Sequence, residues 1–115
     1  MNQFQTELSE NILHVDLSGD LIGEDNGPQI LEKVSSFTDQ GVKYVIVNLS
    51  NVRYVNSSGI GVLITILTKF RNIGGEVYLV SPSEHVKKLL IITKLQAIFS
   101  IEESKEKAIE KIKNS

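Results

Sequence analysis

Two adjacent hydroxyls, Ser57 and Ser58, stand in the run Asn56-Ser57-Ser58-Gly59-Ile60-Gly61, between a β-branched segment and a long apolar one. Asn and Ser are favoured at helix N-caps because a side-chain oxygen accepts from the free N–H groups of the first turn. Gly59 lets another backbone approach closely. The run therefore starts a helix with a hydroxyl at its positive end. Two roles are open to Ser57. It caps the helix, or it carries a phosphate, an anion that the macrodipole and the unpaired N–H groups favour by about 0.3–1 kcal/mol. The roles are compatible.

Other chemistries are poorly served. Ser57 has no His within local reach to act as a base, and no G-x-x-x-x-G-K-[ST] loop is present. The absence of cysteine excludes a disulfide framework, a thiol nucleophile and a thiolate metal site. The two histidines, His14 and His85, have no carboxylate cluster beside them, so no metal is expected. His14 shares a face with Asp16 and reads as a solvated strand residue. A phospho-Asp receiver needs an acceptor Asp after its central strand, and that strand here ends in Asn48. No enzymatic activity and no cofactor are expected.

The elements that position these hydroxyls follow from periodicity. Gln3–Leu8 and Ile12–Leu17 alternate and are joined by Ser9-Glu10-Asn11, a hairpin pattern. Ser18–Gly27 reads as a loop with Leu21 and Ile22 at its centre, and Pro28 as the first residue of a helix. Ile30, Leu31, Val34 and Phe37 give that helix its buried stripe, and Gly41 ends it. Tyr44–Val47 suits a central strand covered on both faces, running out at Asn48. The helix over 58–73 is apolar around more than half its circumference, with Ile60, Leu63, Ile64, Leu67 and Phe70 on one side. Glu76–Val80 is the next strand, and Ser81-Pro82-Ser83-Glu84 is read as a capping box opening a helix to about Thr93. Ile98–Ile101 is a short strand, and 103–113 a closing helix. Strand-helix alternation after a hairpin gives a mixed sheet flanked by helices.

Composition fits one domain over 1–115, with 41% hydrophobic and 23% charged residues. A net charge of −2 gives no reason to expect nucleic acid or an anionic membrane as partner. No apolar run approaches the roughly 18–20 residues of a membrane span. Met1-Asn2-Gln3-Phe4-Gln5 has neither a basic nor an apolar region, so no signal peptide is expected and the cytoplasm is the default location.

Val45-Ile46-Val47-Asn48-Leu49-Ser50 and Tyr54-Val55-Asn56-Ser57-Ser58-Gly59-Ile60-Gly61-Val62 resemble the core of the STAS domain. More narrowly they resemble the small bacterial anti-sigma-factor antagonists of the SpoIIAA/RsbV type. Gly19-Asp20-Leu21, Gly74-Gly75-Glu76 and Val86-Lys87-Lys88-Leu89 extend the likeness over nearly the whole chain. It implies an α/β fold, a mixed sheet of about four to five strands with about four helices. It also implies that Ser57 is phosphorylated by an anti-sigma factor with GHKL-type serine kinase activity, and that a PP2C-type phosphatase reverses this. The unphosphorylated monomer would bind that anti-sigma factor and release a sigma factor. Asp20, Leu21, Ile22, Asn56, Ser57, Ser58, Gly59 and Ile60 form the expected partner surface. Leu21 and Ile22 either present themselves to the partner, or one of them tucks under the first helix. The family's Asp before the phosphorylated Ser is Asn56 here. The alternative is a STAS scaffold or accessory subunit of a signalling or transport complex without sigma-factor control.

Overall fold

The computed structural model describes residues 3–114; Met1 and Asn2, which open the run read for a signal peptide, lie outside the described residues, as does Ser115. Strands β1 (Gln3–Ser9) and β2 (Ile12–Leu21) form the expected hairpin. Its turn is Glu10-Asn11, both at positive φ (55° and 63°), as a tight two-residue hairpin requires. Helix α1 (Gly23–Thr38), β3 (Tyr44–Val55), α2 (Ser57–Arg71), β4 (Glu76–Val80), α3 (Glu84–Ile92), a 3-10 turn (Leu95–Ala97), β5 (Ser100–Glu102) and α4 (Lys105–Lys113) follow.

The five strands lie in sequential order, with β1 antiparallel to β2 and every later neighbour parallel. Parallel neighbours need crossovers, and the helices between them supply these. Period-2 alternation divides the core. Leu13, Val15, Val45, Val47, Val77 and Leu79 pack with Ile30 and Val34 of α1, Leu63 and Ile66 of α2, and Val86 and Leu90 of α3. Ile12, Ile46, Tyr78 and Val80 pack against Ala108 and Ile112 of α4.

Several sequence boundaries are corrected. The segment read as a loop over 18–27 is strand to Leu21 and helix from Gly23, so Pro28 lies inside α1, on an exposed face. The strand outlasts its apolar run because β3 bulges beside it. From Asp16 to Ser18 β2 advances two residues while β3 advances from Asn48 to Asn51, and a second shift falls between Gly19 and Asp20. The Asn48 carboxamide accepts from the Ser50 N–H at this bulge (3.0 Å). The α3 cap is Ser83, accepting from Val86 N–H, while Ser81 sits in the preceding turn at φ 56°. On α2 Ile64 is exposed and Ile60 half-buried, and Val62 and Ile66 take their places in the core. His14, read as solvated, is buried beneath α4, because its face of β2 is covered rather than open.

Candidate functional site

The parallel strands β2 and β3 end side by side, Leu21 opposite Val55, and each feeds directly into a helix. The starts of α1 and α2 therefore meet, and this junction gathers the predicted residues. Asn56 is the N-cap of α2, with extended backbone, and its Oδ1 accepts from Gly59 N–H at 2.7 Å. Capping thus falls to Asn56, and Ser57 is the first helical residue. Ser57 is exposed, and no other described residue hydrogen-bonds its hydroxyl.

Ser58 is held on several sides. Its Oγ accepts from the Gly23 N–H at 3.0 Å, and it lies within donating distance of both Asn56 Oδ1 (2.9 Å) and Glu24 Oε1. Glu24 Oε1 also accepts from Asn56 Nδ2 (3.4 Å). The Ser58 hydroxyl, then its own helix-start N–H and the Asn56 amide, hold the Glu24 carboxyl below the usual range. Two close approaches make the junction tight. A Cβ on Gly59 would lie 2.2 Å from the Leu21 carbonyl oxygen, and one on Gly23 would lie 2.5 Å from the Ser58 carbonyl oxygen. Leu21 carbonyl also accepts from Asn56 N–H (3.3 Å).

Of the predicted partner residues, Asp20, Ile22, Asn56, Ser57, Ser58 and Ile60 reach the surface at this junction, and Leu21 and Gly59 do not. Leu21 is 1% exposed and belongs to the core. It enters from the last position of β2, where the pleat points it inward, so its contribution to any partner surface is only the backbone shape beneath it. Asp20 makes a two-pronged ion pair with Arg53, Nε to Oδ1 and Nη2 to Oδ2, each 3.0 Å. The guanidinium holds the Asp20 carboxyl below its ordinary value.

Sequence reasoning missed Gly23, Glu24, Arg53 and the exposed Tyr54, whose ring stacks on His85 with centroids 6.3 Å apart. The Glu24–Ser58 and Asp20–Arg53 pairs span 34 and 33 residues, so local spacing held no sign of them. The one usable signal was Glu24-Asp25 as an acidic first turn, which points to a helix starting at Gly23. Beside the junction, a groove of 390 Å³ runs between α1 and α2, lined by Glu24, Pro28, Leu31, Ser58, Val62 and Thr65 among others. No group of three or more metal-binding side chains occurs among the described residues, and none of the described helices is long and apolar enough to cross a membrane.

The family model for the STAS domain matches residues 3–108. The chain is similar to a TM1081 homolog of Thermotoga neapolitana, 34% identical over 76 residues, which cover 66% of this chain and 67% of that one. It is also similar to the anti-sigma-B factor antagonist of Staphylococcus aureus (strain NCTC 8325 / PS 47), 28% identical over 79 residues, 69% of this chain and 73% of that one. The crystal structure of TM1081 from Thermotoga maritima superposes with a TM-score of 0.88 at 26% identity, covering 96% of this chain and 94% of that one. SpoIIAA in its unphosphorylated form gives a TM-score of 0.79 over 98% of this chain and 100% of that one, a likeness of fold at 24% identity.

Proposed function

The chain belongs to the STAS domain family, and on that premise we propose that it is an anti-sigma factor antagonist switched by phosphorylation of Ser57. Unphosphorylated, it binds an anti-sigma factor that is also a GHKL-type serine kinase, and a sigma factor is released. A PP2C-type phosphatase restores the phosphorylated form to activity. The chain acts as a cytoplasmic monomer and contributes no catalytic group of its own. The partner supplies ATP, Mg²⁺ and the base.

The observation that carries this reading is the contrast between two neighbouring hydroxyls. Ser57 is exposed at the first position of α2, whereas Ser58 is tied to α1. The surface around Ser57 combines Asp20, Ile22, Asn56 and Ile60 with the groove between α1 and α2. A partner covering it must desolvate the Ser57 side chain. Phosphate adds roughly −1.5 to −2 charges to that surface, and so opposes the complex. The test is phosphosite mapping after reaction with MgATP and the anti-sigma factor kinase, alongside binding of the two forms. Phosphate on Ser57 with loss of binding supports the switch. Undiminished labelling of Ser57→Ala, or equal binding of both forms, removes it.

A further inference from the structure

Resting on that reading, we propose that Glu24 selects which of the two adjacent serines receives the phosphate. Phosphoryl transfer needs a hydroxyl that presents a lone pair to the γ-phosphorus and gives up its proton. The new Oγ–P bond forms as the bond from phosphorus to ADP breaks, and the hydroxyl proton passes to the kinase's base. Ser57 and Ser58 are one residue apart at the same helix start, so a kinase that reaches one is close to the other. Their difference lies in α1, not in α2.

A carboxylate against a hydroxyl has two possible consequences. It can take the proton and activate the oxygen, or it can fix the oxygen in an unproductive direction. The surroundings of Ser58 decide for the second. Its Oγ already accepts the Gly23 N–H at 3.0 Å, which removes one lone pair from use. Its proton points to Glu24 or Asn56, both part of the junction. Packing around it is tight enough that a Cβ on Gly23 would lie 2.8 Å from the Ser58 Cβ. An in-line approach of ATP to this oxygen is closed while the hydroxyl stays in that orientation. Glu24 is exposed on the first turn of α1, so its side chain can be removed without opening the core. A hydrogen bond to an ionised acceptor is stronger than one to a neutral amide, so Glu24 is the partner whose loss frees the hydroxyl most. Glu24 is thus a positioning residue. It acts through Ser58 and touches no reacting atom.

The experiment uses the full chain, MgATP and a GHKL-type anti-sigma factor kinase, with site mapping of wild type, Glu24→Ala and Glu24→Gln, each with and without Ser57→Ala. Wild type is expected to carry phosphate on Ser57 alone. In the Ser57→Ala background, Glu24→Ala should raise Ser58 labelling roughly tenfold or more, the factor that loss of a charge-assisted hydrogen bond implies. Glu24→Gln keeps a neutral acceptor for Ser58 but loses the charge, so its Ser58 labelling should fall between that of the parent and that of Glu24→Ala, whereas a purely steric role would leave it like the parent. Labelling of Ser58 that is the same with and without Glu24→Ala overturns the selection while leaving the Ser57 switch intact. A wild type that takes no phosphate on Ser57 overturns the switch itself, and the selection with it.

Discussion

The Gly23 amide donates to the Ser58 hydroxyl across 3.0 Å, joining residues 35 apart in sequence. This bond, with the Gly59 contact on the Leu21 carbonyl, locks two helix starts to the ends of two parallel strands. The exposed Ser57 is therefore mounted on a rigid junction. Its position relative to Asp20, Ile22 and the α1–α2 groove is set by these close contacts between the two helix starts and the strand ends.

Gly59→Ala should destabilise the fold and disorganise the site together. Its added methyl would fall 2.2 Å from the Leu21 carbonyl oxygen, and backbone on both sides must move. Overpacking of this kind costs about 1–3 kcal/mol. Urea unfolding gives the stability, and Gly61→Ala is the control, since nothing lies within 4 Å of a Cβ there. Equal effects of the two substitutions would contradict the close approach.

Leu21 and Ile22 should separate core from surface. Leu21→Ala empties a fully buried position and should cost about 2–5 kcal/mol. Ile22 is only half-buried, so Ile22→Asp should leave the thermal midpoint almost unchanged while weakening binding of the anti-sigma factor. Thermal unfolding and titration calorimetry measure the two effects. A large stability loss for Ile22→Asp would move that residue into the core.

Asn56→Asp looks neutral for folding from the sequence, because Asn and Asp are equivalent caps. The structure gives a different expectation. Asn56 Nδ2 donates toward Glu24 Oε1 at 3.4 Å, and Asp would set a second carboxylate against the first. The thermal midpoint should fall at neutral pH and recover as pH drops through the carboxylate range, since protonation of either group relieves the repulsion. Adding Glu24→Gln should restore it at pH 7. An unchanged midpoint in the single variant would mean that the Glu24 contact is not made in solution. The same variant should alter the rate of Ser57 phosphorylation, measured with the kinase and MgATP.

Stability should decline in mild acid through His14. Burial first, then the Lys105 charge, lower its pKa, only partly offset by Glu7, Asp16 and Glu10. Its Nδ1 is buried beneath α4 without a hydrogen-bond partner among the described residues. The unfolded chain therefore binds the proton more readily than the folded one. The stabilisation is complete above the unfolded value of about 6.5 and shrinks as pH falls below it, levelling off under the folded pKa. His14→Gln should flatten the change in denaturation midpoint between about pH 7.5 and 5. An unaltered pH dependence in that variant would assign the effect to carboxylates.

Most of the architecture was legible in the sequence because it is written in local periodicity. The alternation of Leu13, Val15 and Leu17, the run Tyr44–Val47 and the stripe Ile30, Val34 are set by which face of an element meets water. Asn56-Ser57-Ser58-Gly59 likewise announced a helix start, since capping depends on groups within one turn. Where elements end was less legible. Strand β3 continues past Asn48 to Val55 only because β2 lies beside it and tolerates two register shifts, and Ile22 opens α1 without any capping side chain. Local spacing named Ser57 and Ser58 as a pair without telling them apart, and only the family resemblance pointed to Ser57. That distinction arises from Gly23 and Glu24, which reach the same point only after two parallel strands have paired and a helix has folded between them. Hydrogen bonds across 34 and 35 residues are products of the tertiary fold, and they leave Ser57 free and Ser58 held.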